Sequence, residues 1–358
     1  MPSFEVRTPQ RTYPAIVERG ALSRIAGAVP PDAGKIFVIT ERGVWDLHGA
    51  AVAGALARWT VEVLYFPGGE IHKRFDSVEA LAERALQAGG DRSSVVVAFG
   101  GGIVCDVAGF VAAIFMRGVP VIQVPTTLLA QVDAAIGGKT GVNLASGKNL
   151  IGSFHQPLAV IIDPGVLTTL SEREYRAGLY EIVKCGVIGD ADLFRVLAGD
   201  RAAVLARRPD VVERIIADAV RLKVRVVTED EREGGLRRIL NFGHTFGHAL
   251  EAETQYCRFL HGEAVAWGMK AAVRLALALD ILAREDGESV LACIESYGPI
   301  PSLEGLDAAR LAARMKSDKK TVHGRIHFVL PEAIGRVRVT ADVAFAQAQA
   351  AIEASLSQ

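Results

Sequence analysis

Three histidines close together in the second half of the chain are the residues best suited to bind a metal. His244 and His248 lie in Asn241–His248 (NFGHTFGH), and His261 begins the run His261-Gly-Glu263; the chain has eight histidines. Histidines four residues apart share one face of a helix. A catalytic zinc needs three protein ligands and one open position, often two histidines and a carboxylate. The stretch therefore predicts a metal site, although a lone histidine pair is usually structural.

The carboxylate ligand cannot be chosen from spacing. Glu181, Glu233, Glu251 and Glu263 are all candidates. No glutamate directly follows His244, so the HExxH pattern of metalloproteases is absent. Glu181 and Lys184 would share a helical face at i, i+3, which also suits a plain surface ion pair.

Two glycine-rich turns could hold a nucleotide. Phe99–Asp106 (FGGGIVCD) follows an expected strand and precedes an expected helix, where backbone N–H groups can approach a pyrophosphate. It is not GxGxxG, no acid follows at the ribose-binding spacing, and a tight turn without a ligand is an equal alternative. A second turn, Pro67-Gly68-Gly69-Glu70, leads to Lys73. Two such turns at one sheet edge favour a dinucleotide site.

Cations and amides cluster between Val124 and Ile151. Pro125-Thr126-Thr127 ends an expected strand, with a threonine placed to cap a helix that contains Asp133. Gly137-Gly138-Lys139 ends that helix, and Ser146–Asn149 forms another loop. One lysine in a surface loop carries little meaning. Several polar groups within a few turns of one another are what a polyanionic substrate requires.

A second set of polar residues leads into the histidine cluster. Lys223 lies in the apolar helical run Val220–Val227 and is followed by Glu233, Arg237 and Asn241. Charges on a helix face are usually solvated, but a cation among valines favours anion binding. Lys319 and Lys320 close a later helix, where cations also suit the helix dipole, so they say little by themselves.

The elements that must position these residues fall into two groups. Strands are expected at Lys35–Thr40, Val61–Phe66, Ser94–Phe99, Val119–Val124 and Ala159–Ile162. Alternation with helices such as Ser77–Ala88 predicts a mainly parallel sheet, with ligands beyond the carboxyl ends of its strands. After Ser171–Glu174, which resembles a capping box, the period is helical, as in Val211–Val227, Gly262–Leu279, Ala308–Met315 and a closing helix after Val339. We therefore predict an α/β domain at 1–172 and a helical domain at 173–358.

Composition excludes several classes of protein. Lys plus Arg number 40 against 41 Asp plus Glu in 358 residues, so no overall charge attracts nucleic acid or membrane. Four widely spaced cysteines predict neither a disulfide framework nor a thiolate zinc site. The N-terminus lacks a signal-peptide pattern, and no apolar run reaches bilayer-spanning length. We expect a soluble, cytoplasmic protein.

Taken together, the motifs resemble the 3-dehydroquinate synthase family of the sugar phosphate cyclase superfamily. The resemblance runs in order from about Pro67 to Lys320: PGGExxK, GGGxxxDxAGF, RGVxxxxPTTLLAQVD, GGKTGVN, GKNxIGxFHQP, ExxK, NxGHTFGHAxE, HGEAV and DKK. It implies an N-terminal Rossmann-like NAD-binding α/β domain and an all-α C-terminal domain that binds metal and substrate.

The resemblance also implies roles for individual residues. Glu181, His244 and His261 would bind Zn²⁺ or Co²⁺, and His248 would contact substrate or transfer a proton. Arg117 would be lent to the neighbouring site across a homodimer. The implied NAD contacts are Gly68, Gly69, Glu70, Ile71, His72, Lys73, Gly101, Gly102, Ile103, Val104, Cys105, Asp106, Thr126, Thr127, Lys139, Lys148, Val166, Leu167, Thr168 and Thr169. The implied substrate contacts are Asp133, Lys139, Lys148, Asn149, Lys184, Lys223, Glu233, Arg237, Asn241, His248 and one of Lys319 and Lys320.

The family reaction that the resemblance implies converts 3-deoxy-D-arabino-heptulosonate 7-phosphate to 3-dehydroquinate and phosphate. It proceeds by transient oxidation with NAD, β-elimination, reduction and intramolecular aldol closure. The alternatives are another sugar phosphate cyclase, a metal-dependent NAD alcohol dehydrogenase, and a nucleotide-binding regulatory protein without zinc. Two residues depart from the family pattern: Cys105 stands where a glycine is usual, and Tyr180 where a small residue is common. Neither departure removes a reacting group.

Overall fold

A computed structural model describes residues 2–316 and 326–357 and divides the chain into two compact units. The first unit runs up to Ser171 and includes Lys223–Thr228. The second contains Glu172–Leu222 and the residues from Glu229 onward.

The first unit is built on a seven-stranded sheet with the order β1-β2-β9-β6-β5-β3-β4. All neighbouring strands are parallel except β1 and β2. The strands of the sheet are β1 Ser3–Arg7, β2 Thr12–Val17, β3 Ile36–Thr40, β4 Val61–Tyr65, β5 Val95–Gly100, β6 Val121–Pro125 and β9 Ala159–Ile162. Two further strands, β7 Lys139–Leu144 and β8 Gly147–Phe154, form a separate hairpin. The helices are α1 Ile25–Ala28, α2 Arg42–Ala55, α3 Phe75–Gln87 and α4 Gly102–Ile114.

The central strands are buried on both faces, as their nearly continuous apolar sequences predict. Every residue of β3, β5, β6 and β9 is buried. Alternate residues of β3 belong to different cores: Phe37 and Ile39 pack with α3 and α4, whereas Ile36 and Val38 pack with α2. This period-two division is what a sheet covered by helices on both sides requires. The predicted parallel sheet is confirmed.

Three features of the first unit differ from the sequence-based expectations. The antiparallel strands β1 and β2 lie at one edge of the sheet and extend it beyond β9. The predicted loop at Ser146–Asn149 was wrong, because only Ala145 and Ser146 form the turn, and Lys148 and Asn149 belong to β8. The helix expected around Asp133 is a short π-helical turn, Ala130–Ala134.

The second unit is mainly helical. Its helices are α5 Glu172–Gly189, α6 Ala191–Gly199, α7 Arg201–Leu205, α8 Pro209–Glu229, α9 His244–Glu253, α10 His261–Ala278, α11 Arg284–Ser296, α12 Ala308–Lys316 and α13 Phe345–Leu356, with 223–228 of α8 grouped in the first unit. The all-α expectation was wrong in one place, because β10 Phe328–Ala333 and β11 Arg336–Thr340 form an antiparallel hairpin. Gly335 N–H donates to the Val187 carbonyl of α5, so the hairpin supports the helix that carries Glu181.

The fold class is thus confirmed as a parallel-sheet α/β unit followed by a mainly helical one. The functional assignment of 1–172 to NAD and of 173–358 to metal and substrate stays a prediction. All four cysteines lie in the described part of the chain, and none is in a disulfide. Nowhere in the described residues is there a helix with the length and apolar character needed to span a membrane.

Candidate functional site

Glu181, His244 and His261 converge in the second unit. One possible ligand atom from each lies within 4.8 Å of the other two. His244 Nε2 lies 3.8 Å from Glu181 Oε1, and His261 Nε2 lies 3.7 Å from the same oxygen. Tetrahedral zinc with bonds of about 2.0–2.1 Å places its ligand atoms roughly 3.3 Å apart, so a small contraction would suffice. Two imidazoles and one carboxylate are a donor set that fits such an ion.

The buried carboxylate of Glu181 is the feature of this cluster that most favours a bound cation. Its side chain is 1% exposed, and neither oxygen accepts a hydrogen bond of acceptable geometry from the described residues. Lys184 Nζ lies beside it as an ion pair, with its side chain 2% exposed. The i, i+3 ion pair of the alternative interpretation is therefore present, but it is buried and does not lie at the surface. Lys184 offsets part of the cost of burying this carboxylate, and a divalent ion would use the lone pairs that accept no hydrogen bond.

The two imidazoles present the same nitrogen to the carboxylate. His244 Nδ1 lies 3.1 Å from the Phe242 carbonyl oxygen, and His261 Nδ1 lies 3.3 Å from Glu251 Oε2. If each Nδ1 carries the proton and donates it, each Nε2 keeps a lone pair facing Glu181. This is the tautomer that a metal ligand needs.

Glycines allow the three supporting helices to approach closely. A β-carbon at Gly262 on α10 would overlap the Ala177 carbonyl group of α5. A β-carbon at Gly268 would overlap the Gly243 carbonyl oxygen, just before α9. Gly243 itself has φ 79°, a conformation that glycine adopts without strain. The three ligands meet because the helix backbones can touch.

The structure separates the four candidate carboxylates by their contacts. Glu263 accepts two hydrogen bonds from Arg173, at 2.7 and 2.8 Å, and one from the Leu260 N–H at 2.7 Å. Glu233 accepts a hydrogen bond from Asn241 Nδ2 at 2.5 Å. Glu251 Oε2 lies 3.3 Å from His261 Nδ1. Only Glu181 faces the Nε2 atoms of both His244 and His261.

His248 and Arg237 complete the predicted residues of the second unit. The His248 ring centroid lies 5.5 Å from that of His244 and 6.0 Å from that of His261. Arg237 is 1% exposed, and its Nη1 donates to the Glu231 carbonyl. Lys319 and Lys320 lie outside the described residues.

The glycine-rich turns lie at the carboxyl ends of strands in the first unit. Gly101 and Gly102 connect β5 to α4, the helix that also carries Ile103, Val104, Cys105 and Asp106. Cys105 is buried, and burial raises the pKa of its thiol. Gly68 and Gly69 follow β4 with φ 80° and 78° and are followed by Glu70, the exposed Ile71 and His72, and Lys73.

Charged and amide groups join these turns to the β7–β8 hairpin. Lys73 Nζ lies 2.5 Å from Asp106 Oδ2 and 2.6 Å from Asn149 Oδ1. Lys148 Nζ lies 3.6 Å from Glu70 Oε2. The pKa of Asp106 is raised by burial, an effect that Lys73 opposes. Residues predicted separately to bind NAD and substrate are therefore neighbours.

Lys223 is buried and paired with Asp133 within the first unit. The two charged groups are 2.5 Å apart, with the lysine side chain 8% and the aspartate side chain 27% exposed. Lys223 is therefore not a solvated helix-face charge. The burial agrees with the expectation that Lys223 lies among apolar residues of Val220–Val227. Its binding of an anion stays a prediction.

The remaining predicted residues of the first unit occupy strand ends and turns. Thr126 is buried and Thr127 Oγ1 accepts from the Ala130 N–H, which confirms the predicted cap. Lys139 starts β7 and is exposed, and Arg117 is exposed at the end of a tight turn with φ 70°. Val166, Leu167, Thr168 and Thr169 form a 3₁₀ turn in which the first two are buried.

Sequence reasoning missed Glu41 as a ribose-binding candidate. It follows the last residue of β3, and a β-carbon at Gly68 would lie 2.6 Å from its Oε2. Burial raises the pKa of its carboxyl group. The sequence pattern had shown only that no acid follows Phe99–Asp106 at the spacing expected for a ribose partner. The available signal was that Glu41 directly follows β3, a strand next to β5, so that it lies at the edge of the sheet where ligands bind.

Comparison with known proteins decides the family. Residues 63–177 match the 3-dehydroquinate synthase N-terminal model, and residues 178–321 match the corresponding C-terminal model. A 3-dehydroquinate synthase of Solibacter usitatus (strain Ellin6076) is 62% identical over 343 residues, which cover 96% of each chain. The chain belongs to the 3-dehydroquinate synthase family. The resemblance inferred from the motifs is therefore confirmed.

Solved structures place this family member among sugar phosphate cyclases. ValA, the 2-epi-5-epi-valiolone synthase of Streptomyces hygroscopicus subsp. jinggangensis 5008 with NAD⁺ and Zn²⁺ bound, has a TM-score of 0.90 at 28% identity and 98% coverage of both chains. A 2-deoxy-scyllo-inosose synthase complexed with carbaglucose-6-phosphate, NAD⁺ and Co²⁺ has a TM-score of 0.89 at 27% identity and 99% coverage of both. The fold is therefore shared with cyclases crystallised with a nicotinamide cofactor and a divalent metal.

Proposed function

We propose that this chain converts 3-deoxy-D-arabino-heptulosonate 7-phosphate to 3-dehydroquinate and phosphate, as an NAD- and metal-dependent lyase. The observation that carries the proposal is the convergence of Glu181, His244 and His261 in a chain 62% identical to a 3-dehydroquinate synthase. The glycine-rich turns of the first unit and the buried lysines Lys73, Lys184 and Lys223 would supply further contacts to the cofactor and the substrate.

The metal and the cofactor supply chemistry that amino-acid side chains lack. When bound, zinc or cobalt polarises a substrate hydroxyl, and NAD is a reversible hydride acceptor. Glu181, His244 and His261 would hold the cation. His248 and Lys184 lie beside those ligands, so we assign them to hold substrate hydroxyls and to move protons.

The basic residues would hold the two anionic ends of the substrate. We assign the carboxylate to Lys223, which Asp133 holds in place, and to Arg237. We assign the phosphate to Lys139, Asn149 and Asn241, together with Arg117 of a partner subunit. Fixing both ends positions an otherwise mobile substrate, which reduces the entropic cost of elimination and ring closure.

The nucleotide would lie along the glycine turns of the first unit. Backbone N–H groups at Gly101 and Gly102 begin α4, where the helix dipole favours a pyrophosphate. Glu41 is a fitting acceptor for ribose hydroxyls, because it follows β3 at the same sheet edge. Lys73 and Asp106 would complete this site.

Dimerisation and location belong to the proposal. Phe75, Ile114, Leu144 and Leu150 are large apolar side chains of the first unit, each at least 40% exposed. We propose that a second copy covers such side chains and brings Arg117 to the site. We propose a cytoplasmic location because the four cysteines are widely spaced in the sequence, which suits a reducing compartment.

The second candidate is another sugar phosphate cyclase, favoured by the fold shared with ValA. The deciding experiment incubates the purified protein with the heptulosonate phosphate, sedoheptulose 7-phosphate or glucose 6-phosphate, and measures phosphate release and cyclic product. We expect turnover and dehydroquinate only with the heptulosonate phosphate. Faster turnover of a substrate that lacks the carboxylate would contradict the assignment.

The metal ligands have a separate test. His261→Ala should lose bound zinc and turnover together, because two ligands rarely retain catalytic zinc. Metal analysis of the dialysed protein measures this. A fully active His261→Ala protein without metal would refute the ligand set.

A further inference from the structure

Glu251 is a buried carboxylate of the histidine cluster that the ligand set does not use. It lies on α9, and its side chain is 2% exposed. Its Oε2 lies 3.3 Å from Nδ1 of His261. Burying an anion is costly unless other groups compensate for lost hydration. Its position against a ligand histidine therefore calls for an explanation.

Two explanations compete. His248, Glu251 and His261 also have possible ligand atoms within 4.8 Å of one another, so Glu251 could itself bind an ion. Alternatively, it could hold His261 from behind. The two nitrogens of the His261 ring decide between them, because Nδ1 faces Glu251 and Nε2 faces Glu181. One ring can donate Nδ1–H to Glu251 while Nε2 binds the ion beside Glu181.

We propose that Glu251 is a positioning residue that accepts the Nδ1 proton of His261 and aims its Nε2 lone pair at the metal. The proposal rests on the metal site proposed above. Histidine ligands commonly donate their second ring N–H to a carboxylate or carbonyl, which sets the tautomer and makes the imidazole a stronger donor.

His244 provides an internal comparison. Its Nδ1 faces the Phe242 backbone carbonyl at 3.1 Å, which plays the same part without a side chain. His244 is also less exposed than His261, with side chains 10% and 30% exposed. The more exposed ring has more freedom to reorient, and it is the one that faces a carboxylate.

The test compares metal affinity in full-length Glu251→Gln and Glu251→Ala. Zinc dissociation constants come from competition with a chromogenic chelator, and coordination comes from the visible spectrum of the Co²⁺-loaded protein. We expect zinc to bind about 10–100-fold more weakly in these variants, with Gln milder than Ala because its amide oxygen still accepts a hydrogen bond. The cobalt spectrum should keep the band positions of the unaltered protein.

Matched controls separate positioning from ligation and from general damage. Glu253→Gln alters another buried carboxylate of α9, which is paired with Arg310 and Arg314, and should leave zinc affinity unchanged. Glu181→Gln removes a proposed ligand and should both weaken binding further and shift the cobalt bands. Glu251→Gln preserves side-chain shape, so it remains informative if Glu251→Ala does not fold.

Two outcomes would overturn the proposal. Cobalt bands in Glu251→Gln that shift as they do in Glu181→Gln would make Glu251 a ligand. Unchanged zinc affinity in both Glu251 variants would make it irrelevant to the metal. If the unaltered protein binds neither zinc nor cobalt, the metal site fails and Glu251 loses this role with it.

Discussion

Arg237 is a buried cation of the second unit. It is 1% exposed, and its Nη1 donates to the Glu231 backbone carbonyl. We assign it to the substrate carboxylate. Arg237→Ala should lower kcat/KM at least about tenfold, because a hydrogen bond to a charged group is worth roughly 1.5–3 kcal/mol.

Steady-state kinetics and metal analysis check this prediction together. Zinc content should stay intact in Arg237→Ala. Arg238→Ala, which alters the neighbouring partly exposed arginine, is the control and should retain activity. Loss of zinc from Arg237→Ala would place that residue in the metal site and contradict its assignment.

Lys73 is predicted to contribute to stability as well as to the nucleotide site. Its side chain is 5% exposed and pairs with Asp106, which is 19% exposed. Lys73→Met should lower the free energy of unfolding by about 3 kcal/mol, because it leaves a buried carboxylate without its cation. The raised pKa of Asp106 limits the loss, since this group is protonated more readily than usual.

Urea unfolding of Lys73→Met, with and without Asp106→Asn, measures the effect. The double variant should recover much of the stability. Arg195→Met breaks a pair whose side chains are 75% and 72% exposed, and it should cost under about 1 kcal/mol. Equal losses in Lys73→Met and Arg195→Met would contradict the special cost of the buried charge.

At this scale the sequence predicted residue identity better than residue contacts. The motifs indicated His244, His261 and Glu181 through family resemblance, and the structure brings them together. Spacing alone could not choose Glu181 over Glu251 as the ligand. The choice depends on which nitrogen of His261 faces each carboxylate, and the sequence does not show this. Glu41 was missed because its relation to Gly68 depends on two neighbouring strands.

At the scale of elements, helix contact decides whether the ligands meet. Gly262 lies one residue after His261 and packs against the Ala177 carbonyl of α5. Gly262→Ala should push α10 away from α5, at a cost of about 1–3 kcal/mol from overpacking. Zinc affinity should fall with it, since α5 carries Glu181.

Thermal unfolding and zinc titration test the effect of this methyl group. Gly199→Ala is the control, because a β-carbon there has open space around it and its φ is not positive. That variant should be neutral or slightly more stable. Unchanged zinc affinity in Gly262→Ala would show that the helix contact does not set the ligand geometry.

Elements with a strong period were predictable, and short hairpins were not. The apolar runs at β3 and β9 predicted their strands to within a residue. In β8, Gly147-Lys148-Asn149 looked like a loop because glycine and charge are common in turns. The long-range pairing of β8 with β7 decided its structure. The β10–β11 hairpin was hidden by the helical pattern on either side of it.

For the whole molecule, the dimer hypothesis predicts complementation between inactive variants. If Arg117 acts on the partner's site, Arg117→Ala and His261→Ala should each be inactive as homodimers. A mixed dimer would contain one site with both groups intact. Doubly tagged heterodimers should recover up to about half of the normal activity. Inactive heterodimers would indicate that Arg117 acts within its own subunit.

In the proposed reaction, one metal-dependent site oxidises and then reduces its substrate without net consumption of NAD. The most direct test follows phosphate release from the heptulosonate phosphate while monitoring absorbance of the reduced nicotinamide, before and after chelation. We predict steady phosphate release without NADH accumulation, loss of turnover on metal removal, and recovery with Zn²⁺ or Co²⁺. Turnover by the metal-free protein would contradict the metal requirement, and NADH formed in step with phosphate would contradict the transient oxidation.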